Sequence, residues 1–190
     1  GANAATIRAG GGNDILVGGD GNDTLDAGAG DDILASGLGA DQLIGGAGTD
    51  IADYRNSGAA VSIANNGSAG SGGWAQGDIL TGIEVVYGSQ NYGDILTGGL
   101  LSASTLWGWG GDDLFVSFGQ ADTIDGGSGI DTIDYSASQA GVTARLDGGT
   151  SSGGDAAGDV IVNVEKVIGS AFGDTLIGAS GNETLVGGAG

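Results

Sequence analysis

Residues 9–53 read AGGGNDILV GGDGNDTLD AGAGDDILA SGLGADQLI GGAGTDIAD, one nine-residue unit written five times without a gap. Position 6 is Asp in every copy: Asp14, Asp23, Asp32, Asp41 and Asp50. Position 4 is always Gly (Gly12, Gly21, Gly30, Gly39, Gly48), and position 8 is aliphatic (Leu16, Leu25, Leu34, Leu43, Ala52). Residues held in phase this strictly form a period, not a bias of composition.

The period dictates a geometry. Six residues rich in Gly and Asp suit a tight turn, and the remaining x-Leu-x suits a short strand whose middle side chain faces inward. A strand every nine residues winds the chain into a flattened coil with the Leu column inside. Alternate units then stack, which places Asp14, Asp32 and Asp50 in one column and Asp23 and Asp41 in the other. Layers about 4.8 Å apart bring these carboxylates into repulsion unless a cation sits between them. With Asp carboxylates, Gly carbonyls and neither His nor Cys, every donor is oxygen. That set suits Ca²⁺ better than Mg²⁺ or Zn²⁺.

The unit is similar to G-G-x-G-x-D-x-U-x, the nonapeptide of the RTX (repeats-in-toxin) proteins. The resemblance implies an all-β fold, a right-handed parallel β-roll holding several Ca²⁺ ions between stacked turns. It further implies a secreted bacterial parent exported in one step (type I) and folding where calcium is plentiful.

Composition agrees with a metal-dependent fold. Among 190 residues there are 45 Gly and 24 acidic residues against four basic ones, a formal net charge of −20. Nucleic acid and anionic membranes are thereby poor partners, and no apolar run reaches membrane-spanning length. Without bound cations, self-repulsion and glycine entropy oppose folding. The chain opens within a weak repeat and closes within another, and is expected to be a piece of a longer protein.

Beyond residue 53 the period breaks and returns. It comes back at Tyr92-Gly-Asp94-Ile-Leu96, runs through Asp113, Asp122 and Asp131, and breaks again at Tyr135. Asp50-Ile-Ala-Asp-Tyr54 matches Asp131-Thr-Ile-Asp-Tyr135, Gly77-Asp78 matches Gly158-Asp159, and Glu84 matches Glu165, all at one constant offset. Such interludes resemble those of large bacterial RTX proteins. The expected organisation is one continuous β-roll over 1–190. It comprises a tandem block 4–53, an interlude 54–91, a second block 92–134, an interlude 135–173 and a truncated third block 174–190. The alternating AAVSIA stretch predicts longer strands in the interlude.

The candidate metal ligands are therefore Asp14, Asp23, Asp32, Asp41 and Asp50 with Gly12, Gly21, Gly30, Gly39 and Gly48. To these are added Asp78, Asp94, Asp113, Asp122, Asp131, Asp159 and Asp174, with Gly111 and Gly129. The pairs Asp14–Asp32, Asp23–Asp41, Asp32–Asp50 and Asp113–Asp131 are expected to stack, whereas Asp122 has no obvious partner in register. Tyr92 and Phe172 replace the position 4 Gly ahead of Asp94 and Asp174. Glu84 and Glu165 are alternatives for closing an interlude site, Glu183 is a longer-armed substitute, and Asp53 and Asp134 are expected to face solvent. Trp74, Trp107 and Trp109 are expected to cover seams in the roll ahead of stacking on sugars.

No His or Cys is present to serve as base or nucleophile, and the repeat already accounts for nearly every Asp, so no catalytic residue is assigned. The expected role is a structural calcium-binding module of an adhesin or surface-layer type of protein. The alternatives are an accessory module of a secreted protease, lipase or polysaccharide-modifying enzyme, and a sugar- or ice-binding adhesion module. Contacts with cell surfaces or polysaccharides are expected only through the parent. No outward row is uniform enough for ice, since position 7 runs Ile15, Thr24, Ile33, Gln42, Ile51.

Overall fold

The computed structural model describes residues 3–190. In the first block the strands are β1 (Thr6–Gly11), β2 (Ile15–Asp20), β3 (Thr24–Ala29), β4 (Ile33–Leu38) and β5 (Gln42–Ala47). β1 pairs with β3 and β3 with β5, while β2 pairs with β4, every pair parallel. Stacked partners stand 18 residues apart, as Asp14 does from Asp32, and Leu16 lies on Leu34 and Leu25 on Leu43 in the same register. Two nonapeptides therefore complete one coil, with the two faces built alternately.

These strands are six residues long, not the three that the x-Leu-x reading predicts. Pairing resumes beyond the corner, at Gly10 on Gly28 and Gly19 on Gly37. The position 2 Gly residues turn the corner at positive φ (Gly28 at +107°), which only Gly does without cost. Farther on, Trp109 occupies the same place at φ +73° and strands shrink to three residues.

After β6 (Ile51–Asp53) the chain forms β7 (Ser62–Ala64), a single 3₁₀ turn at Gly73–Ala75, β8 (Ile79–Thr81) and β9 (Val85–Tyr87). The interlude thus holds short strands, contrary to the longer ones expected. Val61 and Ile63 both turn inward, and Ser62 exchanges hydrogen bonds with Ser71, folding the segment back on itself. Then follow β10 (Ile95–Thr97), β11 (Thr105–Trp107), β12 (Leu114–Val116), β13 (Thr123–Asp125) and β14 (Thr132–Asp134). The second interlude gives β15 (Thr143–Arg145), a 3₁₀ turn at Gly154–Ala156, β16 (Val160–Val162) and β17 (Lys166–Ile168), before β18 (Thr175–Ile177) and β19 (Thr184–Val186).

The sheets show what an interlude does. Sheet I is β1-β3-β5-β8, sheet II is β2-β4-β6-β9-β11-β13-β16, sheet III is β7-β10-β12-β14-β17-β19, and sheet IV is β15-β18. Within an interlude the coil takes 34 residues to return to its own sheet, from Asp50 to Glu84 and from Asp131 to Glu165. Ile51 then lies on Val85, and Thr132 on Lys166. The longer path visits three sheets: it founds a new one, ends an old one, and rejoins the one that runs on. Sheet II passes through the first interlude unbroken, and sheet III passes through the second.

The core follows position 8. Leu25, Leu34, Leu43, Leu96, Leu106, Phe115, Ile124 and Ile133 are fully buried, and Tyr54 and Tyr135 fill the wider layers of the interludes. Each strand contributes essentially one central side chain, so apolar burial per layer is small, about 1.5–3 kcal/mol for each such residue. Among the described residues, no helix is long and apolar enough to cross a membrane.

Candidate metal centre

Each phased Asp stands directly before a strand, so the pleat aims it into the coil beside the core residue two places on. Asp32, Asp50, Asp78, Asp122, Asp131 and Asp159 show no measurable exposure, although each carries a carboxylate. Burying a charge without a partner costs several kcal/mol, and half of the answer is a ladder of hydrogen bonds. Oδ1 of each Asp accepts the backbone N–H of the residue that precedes the strand in the layer before. Asp14 N–H donates to Asp32 at 2.7 Å, Asp23 to Asp41 at 2.7 Å, Asp32 to Asp50 at 3.0 Å and Asp113 to Asp131 at 2.8 Å. The four expected pairs thus stack.

The ladders also cross the interludes. Asp41 donates to Asp78 (2.8 Å), Val61 to Asp94 (2.7 Å) and Val142 to Asp174 (2.8 Å), while Asp94 donates to Asp113 (2.7 Å) within the second block. Asp122, expected to stand alone, donates its N–H to Asp159 and accepts that of Ser104. Its partner lies 37 residues away across an interlude, out of reach of the register that serves the tandem block. Glu84 and Glu165 take the next Asp's place, accepting the N–H of Asp50 and Asp131 at 2.9 Å each. Glu183 instead caps Gly181 at an exposed turn.

The other half of the answer is missing from the protein itself. Oδ2 of Asp23, Asp32, Asp41, Asp50, Asp113, Asp131 and Asp174 is buried without a hydrogen-bond partner. Around these atoms the backbone leaves room. A Cβ on Gly18 would lie 2.6 Å from Asp23 Oδ2 and 2.5 Å from the Ser36 carbonyl oxygen. That glycine keeps clear a space which a carboxylate and a carbonyl both face. Gly45, Gly108 and Gly126 do the same ahead of Asp50, Asp113 and Asp131. In the turns, Gly30 stands at φ +135° with its missing Cβ directed into the Gly12 carbonyl of the layer below.

Electrostatics sharpen the requirement. Burial pushes the Asp113 carboxyl up to about 7, helped by the charges of Asp131, Asp94 and Asp112 and opposed by the Asp94 N–H. Asp131 is raised to about 6 by burial, with Glu165, Asp112 and Asp125 adding repulsion. Asp41 and Asp50 are raised for the same first reason, burial. A bound cation answers burial, repulsion and the bare oxygen together. Among the described residues no three carboxylates converge, so backbone carbonyls would have to complete any coordination shell. Hard oxygen donors of this kind fit Ca²⁺.

A family model described as RTX calcium-binding nonapeptide repeat, four copies long, matches residues 1–34, 8–43, 17–52, 104–133 and 164–190, together more than half of the chain. The chain belongs to the RTX calcium-binding nonapeptide repeat family. No curated protein matches it. The repeat implies Ca²⁺ as the bound ion, and the stacked parallel strands agree with the β-roll expected of it.

Not every phased carboxylate of these RTX units has a bare oxygen. Asp78 Oδ2 accepts the Tyr54 hydroxyl at 3.0 Å, Asp159 Oδ2 the Tyr135 hydroxyl at 2.6 Å, and Asp122 Oδ2 the Ser117 hydroxyl at 2.8 Å. Asp94 Oδ2 accepts both the N–H and the hydroxyl of Ser89. Asp14 is half-buried at the start of its column. The D-Y pairs that mark the interludes were the signal for the tyrosine contacts, although their partner lies 24 residues on.

Asp53, expected in solvent, is buried and paired with Arg55 Nη2 at 2.7 Å, whereas Asp134 caps Ser136 N–H at 2.8 Å. Arg55 reaches back over Asp53 because its guanidinium also lies on Tyr87 and Trp109, 5.0 and 5.4 Å from their centroids. Tyr87, Trp107 and Trp109 pack on one another at 5.8 Å, and Trp74 packs against the core. A second polar ladder runs through position 5. Asn13, Asn22, Asp31 and Asp112 accept the N–H of Asp31, Ala40, Thr49 and Ile130, so these side chains link successive turns.

Proposed function

We propose that this calcium-binding module is a structural, non-catalytic element of a larger bacterial protein. It leaves the cell unfolded through a one-step export system and folds on meeting calcium outside. In this reading one β-roll runs through both interludes. Its ligands are the bare Oδ2 atoms of Asp23, Asp32, Asp41, Asp50, Asp113, Asp131 and Asp174, with carbonyls from the glycine turns of Gly12, Gly21, Gly30, Gly39, Gly48, Gly111 and Gly129. Asp14 supplies the first ligand of its column.

The observation that carries this reading is the set of seven buried, unpartnered carboxylate oxygens. A soluble protein leaves very few such atoms unsatisfied, and here they recur with the repeat. Because the site is assembled only by stacking, binding energy becomes folding energy. Extracellular calcium modules bind with Kd of about 10⁻⁴–10⁻³ M, a range that separates the cytosol from the outside. The test is a Ca²⁺ titration followed by far-UV circular dichroism, with Mg²⁺ as control. A cooperative rise of strand signal with Ca²⁺ alone is expected; full strand signal in chelator would contradict the reading.

A further inference from the structure

Eleven phased aspartates place Oδ1 on a backbone N–H in the same way. What separates them is Oδ2. Seven leave it bare, and four, Asp78, Asp94, Asp122 and Asp159, have it covered by a hydroxyl. Exposure does not make the difference, since these four are as buried as Asp32 and Asp50.

The difference lies in the residue at the corner where a strand ends. Ahead of Asp23, Asp32, Asp50, Asp113, Asp131 and Asp174, five residues earlier, stand Gly18, Ala27, Gly45, Gly108, Gly126 and Gly169. None of these has a polar side chain to bond Oδ2, and the five glycines leave the space before the carboxylate open. Ahead of Asp94 and Asp122 the same place holds Ser89 and Ser117, whose hydroxyls bond Oδ2. Where β6 and β14 end, Tyr54 and Tyr135 enter that corner, and their rings carry a hydroxyl to the Asp one wide layer on. Ser36 also precedes its aspartate, Asp41, by five, yet its hydroxyl does not bond Asp41 Oδ2, and both atoms are unpartnered.

We propose that Asp78, Asp94, Asp122 and Asp159 take no calcium. The hydroxyls of Tyr54, Ser89, Ser117 and Tyr135 stand where the ion would, and they close the joint at each interlude without metal. A cation approaching Oδ2 from inside the corner would face the hydroxyl hydrogen that already bonds it. Tyr54 and Tyr135 are fully buried, so neither ring has a vacant place into which to withdraw. Asp78 and Asp159 also end their columns, since sheet I stops at β8 and sheet II at β16. There is no following layer to share an ion with. The hydroxyl finishes what a metal finishes elsewhere.

This inference rests on the calcium reading of the bare aspartates, and the experiment separates the two. Bound calcium is counted by equilibrium dialysis and metal analysis on the unsubstituted chain and on Asp113→Asn, Asp122→Asn and Asp159→Asn. Asparagine keeps an acceptor for the ladder N–H, and its amide can donate to Tyr135 or Ser117. Asp113→Asn is expected to lose at least one ion, while Asp122→Asn and Asp159→Asn bind as many as the parent chain. Fewer ions in either of these two overturns the inference alone; a full count in Asp113→Asn overturns the ligand assignment beneath it. Should a variant not fold, crystals of the unsubstituted chain in calcium decide by anomalous scattering. No peak is expected within about 2.6 Å of Oδ2 in the four hydroxyl-bonded aspartates, and one found there refutes the inference.

Discussion

Asp41 and Asp78 are neighbours in one column, equally buried and alike in accepting a backbone N–H at Oδ1. Yet one belongs to the nonapeptide block and leaves Oδ2 bare, and the other belongs to the interlude and receives a tyrosine hydroxyl. The same contrast recurs in the second half of the chain, where Asp113 and Asp131 are bare and Asp159 is bonded to Tyr135. The difference teaches that calcium dependence belongs to single layers of this roll. Most nonapeptide layers leave a buried carboxylate oxygen without a partner, whereas the interlude aspartates Asp78 and Asp159, and Asp94 and Asp122 of the second block, receive a hydroxyl.

The contrast is broken most severely by filling a turn. Gly30→Val puts a branched side chain at φ +135° and into the carbonyl of Gly12. A loss of about 4 kcal/mol or more is expected from such backbone strain, measured by urea denaturation in saturating calcium. Gly73, in the interlude, has neither a carboxylate nor a carbonyl of a stacked nonapeptide as its nearest neighbour, but the hydroxyl of Ser57.

Acid offers a second route. Burial raises Asp78, Asp131 and Asp159 to about 6 and Asp113 to about 7, against 3.8 in an open chain. The folded state therefore binds more protons than the unfolded one between those values. Its stabilisation is fully present below the unfolded value and is lost as pH rises through the folded ones. In chelator, strand signal is expected to be greater near about pH 5 than near about pH 8. With calcium bound the dependence should invert, because proton and metal compete for one oxygen. Circular dichroism across pH, with and without calcium, reads both.

Tyr135→Phe sharpens the contrast from the other side. It leaves Asp159 Oδ2 without its donor, at a cost of about 1–3 kcal/mol. Urea denaturation in saturating calcium measures it, and Tyr54→Phe should match it at the first interlude. Arg55→Gln comes last. It removes a pair with Asp53 and contacts with two rings at a partly exposed site, and about 1 kcal/mol or less is expected by thermal denaturation.

Much of this was legible in the sequence because a period is a geometric statement. Gly at position 4, Asp at 6 and Leu at 8 fix turn, inward carboxylate and core, and the stacking of Asp14 on Asp32 or Asp113 on Asp131 follows from coils of two nonapeptides. Strand length was not legible, because it depends on whether the position 2 residue lets pairing resume past the corner. Nor was the fate of Oδ2: Asp122 and Asp32 both stand two places ahead of an aliphatic core residue, and Ser117 against Ala27 sets them apart. The longer interlude coil hid the pairing of Asp41 with Asp78 and of Asp122 with Asp159, since contacts across three sheets do not repeat with the nonapeptide register.

Amide hydrogen exchange, followed by mass spectrometry with calcium and in chelator, tests most directly whether the bare carboxylates couple folding to the metal. The informative amides are those of Asp14, Asp23, Asp32, Asp94 and Asp113, which donate to Asp Oδ1 in layers with a bare Oδ2. Their protection at neutral pH is expected to appear on adding calcium and to vanish in chelator. Equal protection in chelator would contradict the account, for it would mean that the leucine column and the ladders hold the roll together unaided.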